Sequence, residues 1–156
     1  MNGMLYVRGN AIDYDHWPEG WKWADVFPYF LKSENNKFPD IASNGFHSRG
    51  GPLDVSPPRF VTPLEKAFIE SAPEFGYPNV KDYNGRSVSG FALSQLTTRD
   101  GARCSTAKAF LYPAHERPNL HMLGYAFATQ VSFIAIPLRP TQKLITNPVL
   151  PDEDHV

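Results

Sequence analysis

The stretch MNGMLYVRGNAIDYDHW, residues 1–17, brings an apolar run and a turn together within its first ten positions. The apolar run is Met4 to Val7. The following Arg8-Gly9-Asn10 is typical of a turn, because glycine and asparagine accept the backbone angles that turns require. Terminal residues are usually polar and poorly ordered, since few partners hold them. A run of this kind so early in a chain is typical of the interior of a domain.

The composition is that of a globular chain, and it excludes several classes of protein. The 156 residues are 42% hydrophobic and 20% charged, with a net charge of −1. Nucleic acids and anionic membranes select basic surfaces, so neither is expected as a partner. No segment has the length of a membrane span or the pattern of a secretory signal. The single cysteine excludes an internal disulfide, and the compartment is not determined.

Two helices are predicted from apolar spacing and capping residues. Apolar residues recur along one face of the first helix: Trp23, Val26, Phe27, Phe30 and Leu31. Pro28 falls inside this pattern and is expected to kink the helix or to mark its start. Thr62-Pro63-Leu64-Glu65 predicts the start of the second helix, with Thr62 as cap, Pro63 at the first position and Glu65 completing a capping box. Gly76 is expected to end it.

Strands and a third short helix are predicted between these turns. The strand candidates are residues 52–55, 91–96, 119–123 and 127–131. Asp100-Gly101 predicts a tight turn, and Ser105 predicts a cap for a short helix over residues 106–111, stopped before Pro113. Prolines and polar residues dominate beyond Ile136, so disorder is expected there.

Six segments occur in a fixed order along the chain: MNGMLYVRGNAIDYDHW, WADVFPYFLKSENN, GGPLDVS, LEKAFIESAPEFGYPNVKDYNG, GARCSTAKAFLYP and RPNLHMLG. In this order they resemble the glucose–methanol–choline (GMC) oxidoreductases, most closely the insect glucose dehydrogenase-like branch. The resemblance implies a mixed α/β fold that forms part of an FAD/NAD(P)-binding Rossmann-like domain over residues 1–131. Within it, residues 51–98 belong to the substrate side. Residues 132–156 match nothing in the family and are predicted to be a divergent, disordered tail.

The resemblance implies FAD as cofactor and oxidation of the CH–OH group of an alcohol or sugar, by hydride transfer to the flavin. Family members are several times longer, and their G-x-G-x-x-G turn holds the pyrophosphate at a helix N-terminus. None of the 11 glycines here forms that turn. We therefore expect the chain to be an internal fragment of a longer enzyme, inactive in isolation. The substrate, the electron acceptor and the compartment are not determined, although insect relatives are often secreted.

Six residues are expected near FAD on this resemblance: Asn2, Gly3, Met4 and Leu5 at the flavin, and Ala128, or alternatively Val131, at the adenine edge. A glycine lets the backbone approach a planar cofactor closely, and an asparagine side chain both donates and accepts hydrogen bonds. From the residues alone, Asn-Gly is more often a simple turn. Ala128 and Val131 are, on the same basis, ordinary strand residues.

No catalytic or metal-binding residue is predicted. None of the five histidines matches the catalytic histidine of the family, and His16 and His47 are interpreted as loop residues. The spacings of a zinc site are absent. Ser105 with Asp100 lacks the G-x-S-x-G turn of hydrolases, and Cys104 is interpreted as a small buried residue.

The aromatic residues have a second possible role, and the chain has a second possible function. Four aromatic residues could form a platform for a sugar ring, but their helical spacing favours a role in the core: Trp17, Trp21, Trp23 and Phe27. The alternative function is a non-enzymatic binding or interaction module derived from a flavoenzyme segment. A cooperative thermal melt of the isolated chain would favour that alternative.

Overall fold

The structure, a computed structural model, describes residues 3–136 and 139–148, with side chains as far as residue 127. The chain divides into two compact units, one ending at His115 and the other beginning at Glu116. Helices and strands alternate along it, which confirms the predicted α/β mixture. Within the part that the structure describes, no helix is long and apolar enough to cross a bilayer.

The first helical region lies where the sequence predicts it. A 3-10 turn, Ala11–Tyr14, precedes helix α1 (Trp23–Ser33). The Asp25 carboxylate accepts a hydrogen bond from the backbone N–H of Lys22 at 3.1 Å and so helps to hold the start of the helix. Pro28 lies inside the helix and does not mark its start.

One face of α1 packs as a cluster of aromatic rings. Trp23 stacks on Phe27 with ring centroids 5.1 Å apart, and Tyr14 lies 5.3 Å from Trp23. Trp23 and Phe27 pack in this cluster, but the predicted core role is met only in part, since both side chains are half-buried. It is wrong for Trp17 and Trp21, which are 50% and 59% exposed, because both precede the helix and do not share its face.

Strands β1 (Glu34–Asn36) and β2 (Leu53–Val55) form a short parallel pair. Gly51 approaches the end of α1 closely, and its N–H donates to the Glu34 carbonyl at 3.0 Å. A Cβ at Gly51 would lie 2.5 Å from the backbone of Ser33 and Glu34. Only glycine fits this position without a shift of the backbone.

The second helix, α2 (Pro63–Ser71), confirms Thr62 as its cap and Pro63 in its first turn. The predicted capping box is wrong, because among the described hydrogen bonds none joins the Glu65 side chain to the Thr62 N–H. The Thr62 hydroxyl accepts a hydrogen bond from the backbone N–H of Glu65 at 3.1 Å. A 3-10 turn, Ala72–Phe75, continues the helix, and Gly76 ends it in the left-handed conformation with φ of 79°. Glycine adopts this angle without the steric cost that a Cβ brings.

The predicted tight turn joins strands β3 (Thr98–Arg99) and β4 (Ala102–Arg103) into a hairpin. Its central residues, Asp100 and Gly101, have φ of 52° and 79°. Two successive positive φ angles suit the right-handed twist of the paired strands.

The strand predicted over residues 91–96 is wrong. Its first residue forms a bridge with Asn79, and its last residue forms bridges with Leu5 and Ser56. The two ends therefore bind different partners, and no continuous ladder forms between them.

The helix predicted after Ser105 extends beyond its expected end. A π-helical turn, Ala107–Leu111, leads directly into α3 (Tyr112–Ala114). The Ser105 hydroxyl accepts a hydrogen bond from the N–H of Lys108 at 3.3 Å. Pro113 is tolerated because it falls in the first turn of α3, where no backbone donor is needed.

The second unit contains an antiparallel pair, β5 (Ala126–Ile136) and β6 (Arg139–Pro148). The strand predicted over residues 127–131 is confirmed as part of β5. Residues 119–123 form no strand, contrary to prediction.

The strands also enter residues 132–156, for which the sequence predicts disorder. Residues 132–136 belong to β5, and residues 139–148 form β6. Pro140 and Pro148 lie near the two ends of β6, where a missing backbone donor interrupts few ladder hydrogen bonds. The prolines were therefore a poor signal of disorder here, and the domain boundary at residue 131 stays a prediction.

The interior of the first unit is unusually polar. Its buried apolar residues are small in number and mostly short: Ile41, Ala42, Val55, Ala72, Cys104 and Ala109. Its buried polar and charged residues are Arg8, Glu34, Asn36, His47, Asp54, Asn84, Gln95 and Thr98. Burial of Cys104 agrees with its interpretation as a small packed residue, since reactive thiols need exposure.

Candidate functional site

The N-terminal segment, residues 3–8, turns polar side chains inward and apolar ones outward. Leu5 and Val7 are 60% and 62% exposed, whereas Arg8 is 4% exposed. Successive side chains of an extended segment point to opposite sides, so Tyr6 and Arg8 share the inner side. A half-buried strand usually has the opposite arrangement, with apolar residues inside.

Hydrogen bonds fix the inner edge of the N-terminal segment. The Tyr6 N–H donates to the Gln95 carbonyl at 2.8 Å. The Asn84 side chain binds the segment twice. Its Nδ2 donates to the Tyr6 carbonyl at 2.8 Å, and its Oδ1 accepts from the Arg8 N–H at 2.8 Å. Gln95 and Asn84 therefore hold the backbone of the segment at Tyr6 and Arg8.

The backbone at the start of the segment has an unusual conformation. Met4 has φ of 64°, which is uncommon for a residue with a side chain. Its carbonyl accepts hydrogen bonds from the N–H and the hydroxyl of Thr97, at 2.8 and 3.2 Å. A Cβ at the neighbouring Gly3 would meet no atom within 4 Å. The outer side of Gly3 to Leu5 is thus open and apolar.

A buried ion pair lies directly behind the segment. The Arg8 guanidinium binds the Glu34 carboxylate, and both side chains are completely buried. Arg8 also donates to the carbonyl of Phe46 and, at 3.1 Å, to the Tyr6 hydroxyl. A charge in the interior is tolerated only when it is paired and its other donors are satisfied. Both conditions hold for Arg8.

His47 bridges two carboxylates in the same interior. Its Nδ1 lies 2.8 Å from Glu34 Oε1, and its Nε2 lies 3.0 Å from both oxygens of Asp82. Burial opposes the charged ring, but the hydrogen bonds to Asp82 and Glu34 and their negative charges outweigh it. The pKa of His47 is therefore raised above its ordinary value of 6.5.

Asp82 connects His47 with the residues that hold the segment. Its Oδ1 accepts hydrogen bonds from the Gln95 amide at 2.9 Å and from the Asn84 N–H at 3.1 Å. Burial alone would raise the pKa of Asp82. Hydrogen bonds from His47, Asn44 and Gln95 overcome this and lower that pKa to about 2. Asp82 is therefore a carboxylate near neutral pH.

A cleft of about 540 Å³ adjoins Met4. Its lining includes Lys37, Arg59 and Arg99, and Arg99 binds the carboxylate of Asp54 at 3.2 Å. The cleft therefore presents charged groups beside an N-terminal segment whose outer side is apolar. The described residues contain no group of histidine, cysteine and carboxylate side chains arranged to hold a metal ion.

One known protein family matches most of this chain. The model of the family described as GMC oxidoreductase matches residues 1–145. The chain belongs to the GMC oxidoreductase family. The match confirms the resemblance drawn from the six sequence segments, and it continues past residue 131.

Two GMC proteins show how much of a relative's length this chain covers. Glucose dehydrogenase (FAD, quinone) of Drosophila pseudoobscura pseudoobscura is 43% identical over 135 residues, covering 84% of this chain and 21% of that protein. Oxygen-dependent choline dehydrogenase of Burkholderia multivorans is 39% identical over 140 residues, covering 85% of this chain and 24% of that protein. The chain thus spans about a fifth to a quarter of the length of these relatives.

Solved structures agree with the family assignment. An FAD-dependent oxidoreductase from Chaetomium thermophilum matches with a TM-score of 0.72 and 26% identity, over 92% of this chain and 29% of that one. A fungal aryl-alcohol oxidase matches with a TM-score of 0.72 and 20% identity, over 94% and 28% of the two chains. The second match shows likeness of fold alone.

The structure brings three of the six predicted FAD contacts of this GMC chain together. These are the adjacent residues Gly3, Met4 and Leu5, while Asn2 lies outside the described residues. Ala128 and Val131 lie on β5 in the second unit, paired with residues 146 and 144 of β6. All six assignments stay predictions.

The residues that hold the N-terminal segment were missed by sequence reasoning. Asn84 and Gln95 are buried and bind its backbone, although neither was singled out. Gln95 had one usable signal, because it is a polar residue inside the apolar run of residues 91–96. His47 had none, since its neighbours in sequence are typical of a loop.

Proposed function

We propose that this chain supplies part of the flavin-binding region of an FAD-dependent oxidoreductase that oxidises the CH–OH group of an alcohol or sugar. Two of its relatives are named glucose dehydrogenase and choline dehydrogenase, and membership of the GMC family supports the reaction class. The observation that carries the proposal is the N-terminal segment. It is fixed on its polar side and left open on its apolar side.

The residues at the start of the segment fit a planar cofactor. The open space at Gly3 lets a ring approach the backbone, and the exposed Leu5 gives it an apolar surface. Met4 is held from behind by Thr97, so its backbone keeps its place when a ligand lies in front. When bound, FAD supplies the acceptor for the hydride removed from the substrate carbon. Asn2, Gly3, Met4 and Leu5 then orient the flavin and exclude water from it.

The adenine end of FAD is assigned to β5. We propose that the backbone N–H and C=O of Ala128, or alternatively of Val131, bind the adenine edge. A β-bulge separates Ala128 from Gln130 in the pairing with β6. The bulge leaves Thr129, next to Ala128, without a partner in the ladder, whereas Ala128 and Val131 are both paired with β6.

Residues 1–131 are proposed to belong to the FAD-binding domain, with residues 51–98 on the substrate side. No catalytic base is assigned among the described residues. Both ring nitrogens of His47 already face carboxylates, so this ring cannot take a proton from a substrate. The substrate alcohol and the electron acceptor are properties of the whole enzyme.

The test uses the full-length protein encoded by the transcript that contains this chain, after that transcript has been sequenced. We expect the purified protein to carry FAD, and its flavin absorbance to bleach when an alcohol or sugar is added without oxygen. The isolated 156-residue chain should bind FAD weakly or not at all, because it has no glycine-rich pyrophosphate turn. A full-length protein that binds no flavin would overturn the proposal and favour a non-enzymatic module.

A further inference from the structure

Two chains of hydrogen bonds connect His47 with the N-terminal segment. The first passes through the ion pair, since His47 Nδ1 contacts Glu34 Oε1 and the other oxygen of Glu34 binds Arg8. Arg8 is itself part of the segment. The ring of His47 and the guanidinium of Arg8 therefore share one carboxylate between them.

The second connection passes through Asp82. His47 Nε2 contacts this carboxylate, which also accepts hydrogen bonds from Gln95 and Asn84. Those two residues bind the backbone of Tyr6. The two connections leave opposite nitrogens of one ring and end on neighbouring residues of the N-terminal segment.

We propose that His47 is a positioning residue whose protonated ring holds the N-terminal segment in place, and that the segment loosens when the ring loses its proton. The imidazolium has an N–H on each nitrogen, and each N–H faces a carboxylate. Two positive groups, Arg8 and His47, then balance the two negative groups Glu34 and Asp82. On deprotonation the proton leaves to solvent, and one carboxylate faces a lone pair.

The geometry indicates that His47 loses the proton on Nδ1. The Asn36 side-chain Nδ2 lies 3.0 Å from His47 Nδ1 and 3.0 Å from Glu34 Oε1. A neutral ring with its proton on Nε2 keeps Asp82 and accepts a hydrogen bond from Asn36 at Nδ1. Glu34 Oε1 then faces the lone pair of Nδ1, so the carboxylate that binds Arg8 is held in place by one hydrogen bond fewer.

The charged groups around His47 come from three parts of the first unit. Arg8 and the titratable Tyr6 belong to the N-terminal segment, Glu34 to β1, and Asp82 to the loop that follows α2. Asp82 is ionised throughout the titration of His47. The pKa of Tyr6 is raised by burial above the ordinary value of 10 for tyrosine, so Tyr6 is neutral over the same range. His47 is thus the group in this cluster whose charge changes between the titration ranges of the carboxylates and of tyrosine.

The link between His47 and the segment does not depend on a cofactor, but its relevance to flavin positioning rests on the proposed function. The experiment therefore follows the segment in the 156-residue chain without FAD. NMR of the ring protons gives the pKa of His47. Amide hydrogen exchange gives protection factors for the N–H groups of Tyr6 and Arg8, which donate to Gln95 and Asn84. Amides inside α2 serve as the internal reference.

We expect the Tyr6 and Arg8 protection factors to fall as the pH rises through the pKa of His47, and to fall by a larger factor than those of α2. The fall should approach about tenfold for each unit by which closure of the cluster raises that pKa. H47Q should show low protection at every pH, whereas H16Q, an exposed control, should behave as the wild type. The wild-type series is decisive even if H47Q does not fold.

Two results would overturn the inference. Tyr6 and Arg8 protection that is flat through the titration of His47 would show that the ring does not hold the segment. Parallel loss of protection in the segment and in α2 would show that His47 supports the whole unit instead. The flavin content of the full-length enzyme is measured separately and tests the proposed function. A failure of that function can therefore be told apart from either of these two results.

Discussion

Several residues in the interior of the first unit are charged and are paired with one another. Arg8 and Glu34 have no exposed side-chain surface, yet each is charged. Burial of such groups costs several kcal/mol for each ion, and the pairing must offset it. Removal of one partner therefore harms the fold more than loss of a single surface ion pair.

The substitution E34Q tests this at the level of one residue. It leaves Arg8 as an unpaired buried charge and removes the carboxylate facing His47, so we expect a loss of about 3–5 kcal/mol in the free energy of unfolding. Urea unfolding at pH 6 measures the loss. E19Q is the matched control, because Glu19 pairs with Lys22 on the surface and should change stability by under about 1 kcal/mol. Equal effects of the two substitutions would contradict the interpretation.

Helices and turns could be predicted where the residues that determine them lie close together in sequence. Helix α2 has its cap, its first-turn proline and its terminal glycine within fifteen residues, and all three act as the sequence predicts. The hairpin turn at Asp100-Gly101 is equally local. Residues 91–96 look like a strand by composition, but their pairing depends on Asn79, Leu5 and Ser56. Composition contains no information about such partners.

The cap of α2 gives a prediction at the scale of an element. T62A removes the hydroxyl that accepts from the Glu65 N–H, and should destabilise the first unit by about 0.5–2 kcal/mol. T106A serves as the control, because Thr106 makes no capping hydrogen bond at the π-helical turn. Chemical denaturation of both variants measures the difference. A loss confined to T106A would contradict the assigned role of Thr62.

The whole first unit depends on contacts between residues that are far apart in sequence. Arg8 and Asn84 are separated by 76 positions, and His47 and Asp82 by 35. Such a cluster leaves no periodic pattern, which explains why the family and the flavin-contacting segment were predictable and the supporting residues were not. The resemblance identified what the chain belongs to, and the structure identified what holds its predicted site.

The buried charges predict a stability maximum in mildly acidic solution. The raised pKa of His47 contributes stability that is complete below 6.5 and lost as the pH rises through the folded-state value. The lowered pKa of Asp82 contributes stability that is complete above 3.8 and lost as the pH falls towards 2. The melting temperature should therefore be highest between about pH 4 and 6.5.

Two variants distinguish the acid side of this stability maximum from the alkaline side. H47Q should flatten the alkaline side, and it should also reduce the acid side in part, because the hydrogen bond from His47 helps to lower the pKa of Asp82. D82N should remove the contribution of Asp82 to the acid side. Melting temperatures measured from pH 3 to 9 give both profiles. An alkaline decline of the same size in H47Q and in the wild type would exclude His47 as its cause.

The central claim is that the outer side of the N-terminal segment faces the flavin, and L5D in the full-length protein tests it most directly. Leu5 is exposed in this chain, so an aspartate there should not disturb folding, but it would place a charge against the ring. L64D, at a residue of α2 that is 79% exposed, is the matched control. We expect L5D to lose bound FAD or to shift its visible spectrum, and L64D to match the wild type. Unchanged FAD content and spectrum in L5D would contradict the account.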